Sequence, residues 1–87
     1  MRRRVTSNYT VRIDARPGEV VIVTMRYRRS IIKFRARVFL QGGYPYVKIP
    51  SPIRDAYGIR PHDEVEILST SASNSAMRLP FPVSVSL

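Results

Sequence analysis

The chain has 87 residues, no cysteine, and fifteen Lys and Arg against six Asp and Glu, a formal net charge of +9. That length supports a single domain with one small core. The lack of cysteine excludes a disulfide framework and a thiolate metal site and predicts a reducing, cytoplasmic setting.

The basic excess is mostly arginine, thirteen Arg against Lys33 and Lys48. Arginine's planar fork grips phosphate with two hydrogen bonds and stacks on bases, so a chain this basic carries the electrostatic footprint of a nucleic-acid binder. Met1-Arg2-Arg3-Arg4 has the charge of a signal-peptide start, but no apolar run follows it. The longest apolar runs elsewhere are far too short to cross a bilayer, so no membrane partner is expected.

In chain order, residues 1–8 read as a basic, polar arm without periodicity. Residues 9–15 alternate apolar and polar as a half-buried strand does. Arg16-Pro17-Gly18-Glu19 is a turn, with Pro presetting φ and Gly free to take φ > 0. Residues 20–28 and 31–40 are two further β-rich runs separated by Arg29-Ser30, and 9–40 together predict a three-stranded β-meander. With Arg29-Ser30 as a two-residue loop, Tyr27/Ile32, Met25/Phe34, Val23/Ala36 and Val21/Val38 oppose one another on an apolar face. The other face then carries Arg26, Arg28, Lys33, Arg35 and Arg37, with Arg26 directly opposite Lys33. Like charges so opposed destabilise a ribbon, and a counter-anion removes that cost. A two-stranded ribbon of this size fits the major groove of B-DNA, and it fits an RNA backbone equally well.

Residues 41–45 read as a loop and 46–49 as a short strand stopped by Pro50, which lacks a donor for a ladder. Ser51 is placed to cap a helix whose first position is Pro52. Ile53, Ala56 and Tyr57 fall at i, i+3, i+4 as its apolar stripe, and Gly58 ends it in a left-handed conformation. His62-Asp63 turn into a strand with Val65 and Ile67 inside and Glu64 and Glu66 outside. Residues 69–76 read as a polar linker, and 77–87 as an edge strand or tail, since Val83, Val85 and Leu87 alternate while Pro80 and Pro82 confine any strand to an edge.

The pattern Ile49-Pro50-x-x-Ile53-Arg54-x-x-Tyr57-Gly58-Ile59-x-x-x-Asp63-x-Val65-Glu66-Ile67 resembles the core motif of the AbrB/SpoVT swapped-hairpin family over residues 46–68. The resemblance implies a mainly β fold with one short helix, an AbrB-like swapped-hairpin β-barrel, here with the additional N-terminal β-meander before a strand–helix–strand core at 41–68. It also implies an interlaced homodimer that acts as a DNA-binding transcriptional regulator or as an antitoxin, with Arg35, Arg37 and Arg54 at the DNA.

No catalytic centre is expected. His62 is the only histidine and sits in a turn with no Cys nucleophile, Glu64 and Glu66 face away from the core, and Gly42-Gly43 lacks the spacing and following helix of a phosphate loop. The chain therefore reads as a non-enzyme with no cofactor, no metal and no small-molecule substrate. Its predicted partner is nucleic acid, with DNA favoured and RNA the alternative in the form of a small structural ribosomal RNA-binding protein. An antitoxin-like role is third. The predicted contact residues are Arg2, Arg3, Arg4, Arg26, Arg28, Lys33, Arg35, Arg37, Lys48 and Arg54.

Overall fold

A computed structural model of the protein describes residues 1–72. The chain is mainly β, with strands β1 (Arg2–Arg4), β2 (Thr10–Arg12), β3 (Val20–Tyr27), β4 (Ser30–Arg37), β5 (Phe39–Gln41), β6 (Tyr44–Lys48) and β7 (Glu64–Ala72) and one short helix, α1 (Ser51–Tyr57). They form two antiparallel sheets, one ordered β1-β7-β3-β4 and the other β2-β6-β5. The inward side chains of both, Val23 and Met25 from the first, Val11 and Val47 from the second, meet in one core that also takes Val5, Val38, Ile49 and Ile59.

The β3–β4 ribbon keeps the predicted parity and changes the register. Tyr27 pairs with Ser30, so the two-residue loop is Arg28-Arg29, and Met25 opposes Ile32 and Val23 opposes Phe34. A shift of two residues leaves every side chain on its expected face. Val21, Val23, Met25, Tyr27, Ile32 and Phe34 are buried, while Arg26, Lys33, Arg35 and Arg37 are exposed. The turn is made by Arg28 at φ 57, a left-handed conformation taken without glycine. Lys33 now lies opposite Thr24, so the expected Arg26/Lys33 opposition is absent.

Three expectations about the chain's organisation are corrected. Residues 9–40 do not form a meander, because β2 pairs with β6 in the other sheet and the second neighbour of β3 is β7. The stretch 1–8 is not an arm: β1 pairs with β7, and Val5 is fully buried. Residues 69–72 are not linker but the end of β7, satisfying the free edge of the eight-residue β3. A bulge makes this possible. Leu68 is the extra residue between Ile67, opposite Met25, and Ser69, opposite Thr24, and it turns Thr70 inward where uninterrupted alternation would have placed serines. The remainder of the predicted linker, 73–76, and the edge strand or tail at 77–87 lie outside the described residues.

Around the helix the outcome is mixed. Gly58 takes the αL conformation at φ 66 and the Ile59 N–H bonds to the Arg54 carbonyl at 3.0 Å, as expected of a glycine cap. The N-cap is Pro50 rather than Ser51, whose side chain makes no capping bond. Only Ile53 of the predicted stripe packs on the core, and Ala56 and Tyr57 are exposed. Residues 41–45 are not a loop: Gly42 and Gly43, both at positive φ, form a two-residue turn that joins β5 to β6.

The two halves of the chain are built alike. Val11-Arg12-Ile13 corresponds to Val47-Lys48-Ile49, and Arg16-Pro17-Gly18-Glu19 to Arg60-Pro61-His62-Asp63. The hydrogen bonds repeat with them. Arg16 N–H donates to the Glu19 carboxylate at 3.1 Å and Arg60 N–H to that of Asp63 at 2.9 Å. The Gly18 N–H bonds to the Val38 carbonyl and the Val38 N–H to Glu19, just as the His62 N–H bonds to Val5 and the Val5 N–H to Asp63. Each half's first strand thus pairs with the other half's last strand, β4 with β3 and β1 with β7. A pseudo-two-fold axis passes through two self-paired positions, Val11 opposite Val47 and Thr24 opposite Ser69. The main difference between the halves is α1, which occupies the place of the short connection Asp14-Ala15.

Candidate nucleic-acid interface

The outer face of the β1-β7-β3-β4 sheet is built by strand alternation. With Val21, Val23, Met25 and Val65 turned inward, Arg26, Lys33, Arg35, Arg37, Arg2 and Arg4 turn outward. Arg28 joins them from the turn. It lines a recess of about 220 Å³ with Arg2, Arg26, Glu64 and Glu66, and its guanidinium lies 5.2 Å from the centroid of the Tyr27 ring.

This face is electrostatically lopsided, and the pseudo-symmetry shows how. Arg2 and Arg4 on β1 correspond to Arg35 and Arg37 on β4. On the β1 side the cross-strand neighbours are acids: Arg2 opposes Glu66 and Arg4 opposes Glu64. Arg26 pairs with Glu66 at 3.0 Å and Arg2 approaches Glu64 at 4.0 Å. On the β4 side the corresponding neighbours are Ile22 opposite Arg35 and Val20 opposite Arg37. Lys33 and Arg35 make no ion pair or side-chain hydrogen bond among the described residues, and Arg37 Nη1 donates only to the Gly18 carbonyl, at 3.1 Å. Lys33, Arg35 and Arg37 therefore form a row of cations without a carboxylate beside it. Such exposed charges are only weakly held by surface partners, so what an acid neighbour changes is the local potential more than the stability.

Seven of the ten expected contact residues share this face: Arg2, Arg4, Arg26, Arg28, Lys33, Arg35 and Arg37. Three do not. Arg3 opposes the buried Val65 and so falls on the inward side of its sheet, with its Nε buried. Lys48 belongs to β6 in the other sheet, opposite Thr10. Arg54 is on α1, where its guanidinium lies 4.5 Å over the Tyr9 ring and 3.3 Å from Asp55. The arm reading merged Arg2, Arg3 and Arg4 into one group, whereas a strand separates them. Sequence reasoning also missed the neutralising role of Glu64 and Glu66, which the alternation of 64–67 did place on an outer face but without showing which strand would lie beside it.

Behind the face, the Tyr27 hydroxyl donates to Asp63 Oδ2 at 2.7 Å and ties the end of β3 to the turn before β7. That bond, with the Arg60 N–H as a second donor, holds the Asp63 carboxyl below the usual carboxylate range. The same bond, together with burial of the ring, pushes the Tyr27 hydroxyl above its ordinary value.

Among the described residues no group of three or more His, Asp and Glu is placed to hold a metal ion, and no helix is long and apolar enough to cross a membrane. Comparison with family models, with curated proteins and with solved structures finds no match to this chain.

Proposed function

We propose that the protein is a nucleic-acid-binding regulator of the AbrB-like kind that grips duplex DNA through the outer face of its β1-β7-β3-β4 sheet. The observation that carries this reading is the row Lys33, Arg35 and Arg37. Alternate residues on a strand stand about 7 Å apart, so the row presents three cations within roughly 14 Å to the phosphates of a DNA backbone. Backbone contact of this kind positions the protein, and the exposed Arg28 at the end of the ribbon is a side chain available for base edges.

Within one chain, β1 pairs with β7 and β4 with β3. We therefore take one chain as the binding unit. Residues 2–4 are a strand paired with β7 rather than a free arm that could order on RNA, which favours DNA over RNA.

The test is the salt dependence of binding to a duplex of random sequence. Replacing Arg35 and Arg37 with Ser should reduce the slope of log affinity against log salt by about two, roughly one per lost phosphate contact. Lys48→Ser, on the other sheet, should leave it unchanged. An unchanged slope in the double variant refutes the assignment, and tighter binding to folded RNA than to duplex DNA transfers it to the RNA class.

A further inference from the structure

The correspondence between halves exposes one place where they differ in chemistry. A cavity of about 250 Å³ is lined by the side chains of Met1, Ile13 and Ile67 on its apolar side and by Arg3, Arg12, Asp14 and Thr70 on its polar side, with the Met1 ammonium tied to the Ile67 carbonyl at 3.0 Å. The residues corresponding to Met1 and Arg3 in the other half are Phe34, which is buried, and Ala36, which is half-buried. A strand in this position therefore folds with a methyl group where β1 carries a guanidinium, so packing does not require Arg3. Burial of an unpaired donor is unfavourable, yet Arg3 Nε is buried with no hydrogen-bond partner among the described residues. Arg12 stacks 4.0 Å over the Tyr44 ring, which fixes its guanidinium plane. Asp14 forms no ion pair with either arginine within 4.0 Å.

We propose that this cavity binds a small apolar α-amino acid. Its carboxylate is held by Arg3 and Arg12, its ammonium donates to Asp14, and its side chain lies against Met1, Ile13 and Ile67. A simple anion would meet the Asp14 carboxylate and a simple cation would meet two guanidiniums, whereas a zwitterion satisfies both. The volume lies just below the roughly 300–1,000 Å³ of sites for drug-sized ligands, which suits a molecule the size of leucine. Bidentate recognition of a carboxylate is what the guanidinium fork does best. None of Lys33, Arg35 and Arg37 lines the cavity, so this inference stands apart from the nucleic-acid reading.

The test is titration calorimetry on the full chain with L-leucine, with 4-methylpentanoate, which lacks the ammonium, and with 3-methylbutylamine, which lacks the carboxylate. L-leucine should bind with a dissociation constant below ~1 mM and both analogues at least tenfold more weakly. Arg3→Ala, which installs the residue of the corresponding strand, should weaken L-leucine at least tenfold with the far-UV circular dichroism unchanged. Asp14→Asn should abolish the preference for L-leucine over 4-methylpentanoate, a change that mere damage to the fold would not produce. No saturable binding below ~10 mM overturns the proposal. So does equal affinity for leucine and 4-methylpentanoate in the unaltered chain. Should Arg3→Ala fail to fold, the Asp14→Asn comparison decides alone.

Discussion

Replacing Tyr27 with Phe removes one hydroxyl and leaves the buried ring in place, so it isolates the bond to Asp63. The bond is 2.7 Å long and its acceptor is a carboxylate. Hydrogen bonds to charged groups contribute about 1.5–3 kcal/mol when the group is shielded. Asp63 is only half-buried, and water replaces part of what the hydroxyl supplied, which lowers the expected loss to about 1 kcal/mol. In a domain of this size that corresponds to a fall in Tm of roughly 4–8 °C at neutral pH. The assay is thermal unfolding followed by circular dichroism as a function of pH. Because Asp63 is held below its ordinary value in the folded state, the stability it contributes is present above the unfolded carboxylate range. It is lost as pH falls through that range toward the lowered folded value. The gap between the unaltered chain and Tyr27→Phe should therefore close on acidification. Tyr27 itself is raised, so its contribution is complete below the ordinary tyrosine range and is lost as pH rises past it, and the gap should narrow again at high alkalinity. A Tyr27→Phe protein with an unchanged Tm at pH 7, or with a gap that stays constant into acid, would refute the reasoning.

Two further outcomes test the fold and the face. Val5→Ala removes two methylene equivalents from a fully buried position, at about 0.8 kcal/mol each, so urea unfolding at neutral pH should show a loss of at least 1.5 kcal/mol, where a solvated arm would show none. Glu66→Gln removes the acid that pairs with Arg26 and opposes Arg2. If the β1 side is silent because it is neutralised, this change should tighten binding to duplex DNA and steepen its salt dependence by about one unit, read by fluorescence anisotropy over a salt series.

Strand parity was the part of this fold most legible in the sequence, because one buried face forces period-two alternation. Val21, Val23, Met25, Ile32 and Phe34 all turn inward, although the ribbon turn lies one residue earlier than expected, which shifts the pairing by two, and is made by Arg28 at positive φ. A left-handed arginine has no sequence signature, whereas Ser30 looks like a turn residue. Pairing partners were illegible for a different reason: alternation states which face a side chain takes and says nothing of which strand lies beside it. Alternation alone therefore shows neither the pairing of β2 with β6 nor the acids that lie opposite Arg2 and Arg4. Residues 1–8 read as an arm because three arginines mask a strand whose apolar anchor is Val5. A signal that would have recovered both pairing and symmetry was present in the repeat of Arg-Pro-x-acid at 16–19 and 60–63, each preceded by Val-x-Ile. The eight residues of α1 and its cap, inserted between those landmarks in one half only, disguised it.

Housing both cross-pairing halves in one polypeptide changes the thermodynamics of assembly. An exchange of strands between separate molecules is bimolecular, and its product falls apart on dilution. Here the same exchange is unimolecular, so this pairing itself does not depend on protein concentration. It also frees the halves from identity. A substitution in a symmetric pair of subunits is felt twice, while in this chain acids have accumulated beside one arginine edge and aliphatic residues beside the other, a division of labour that no assembly of identical copies could keep.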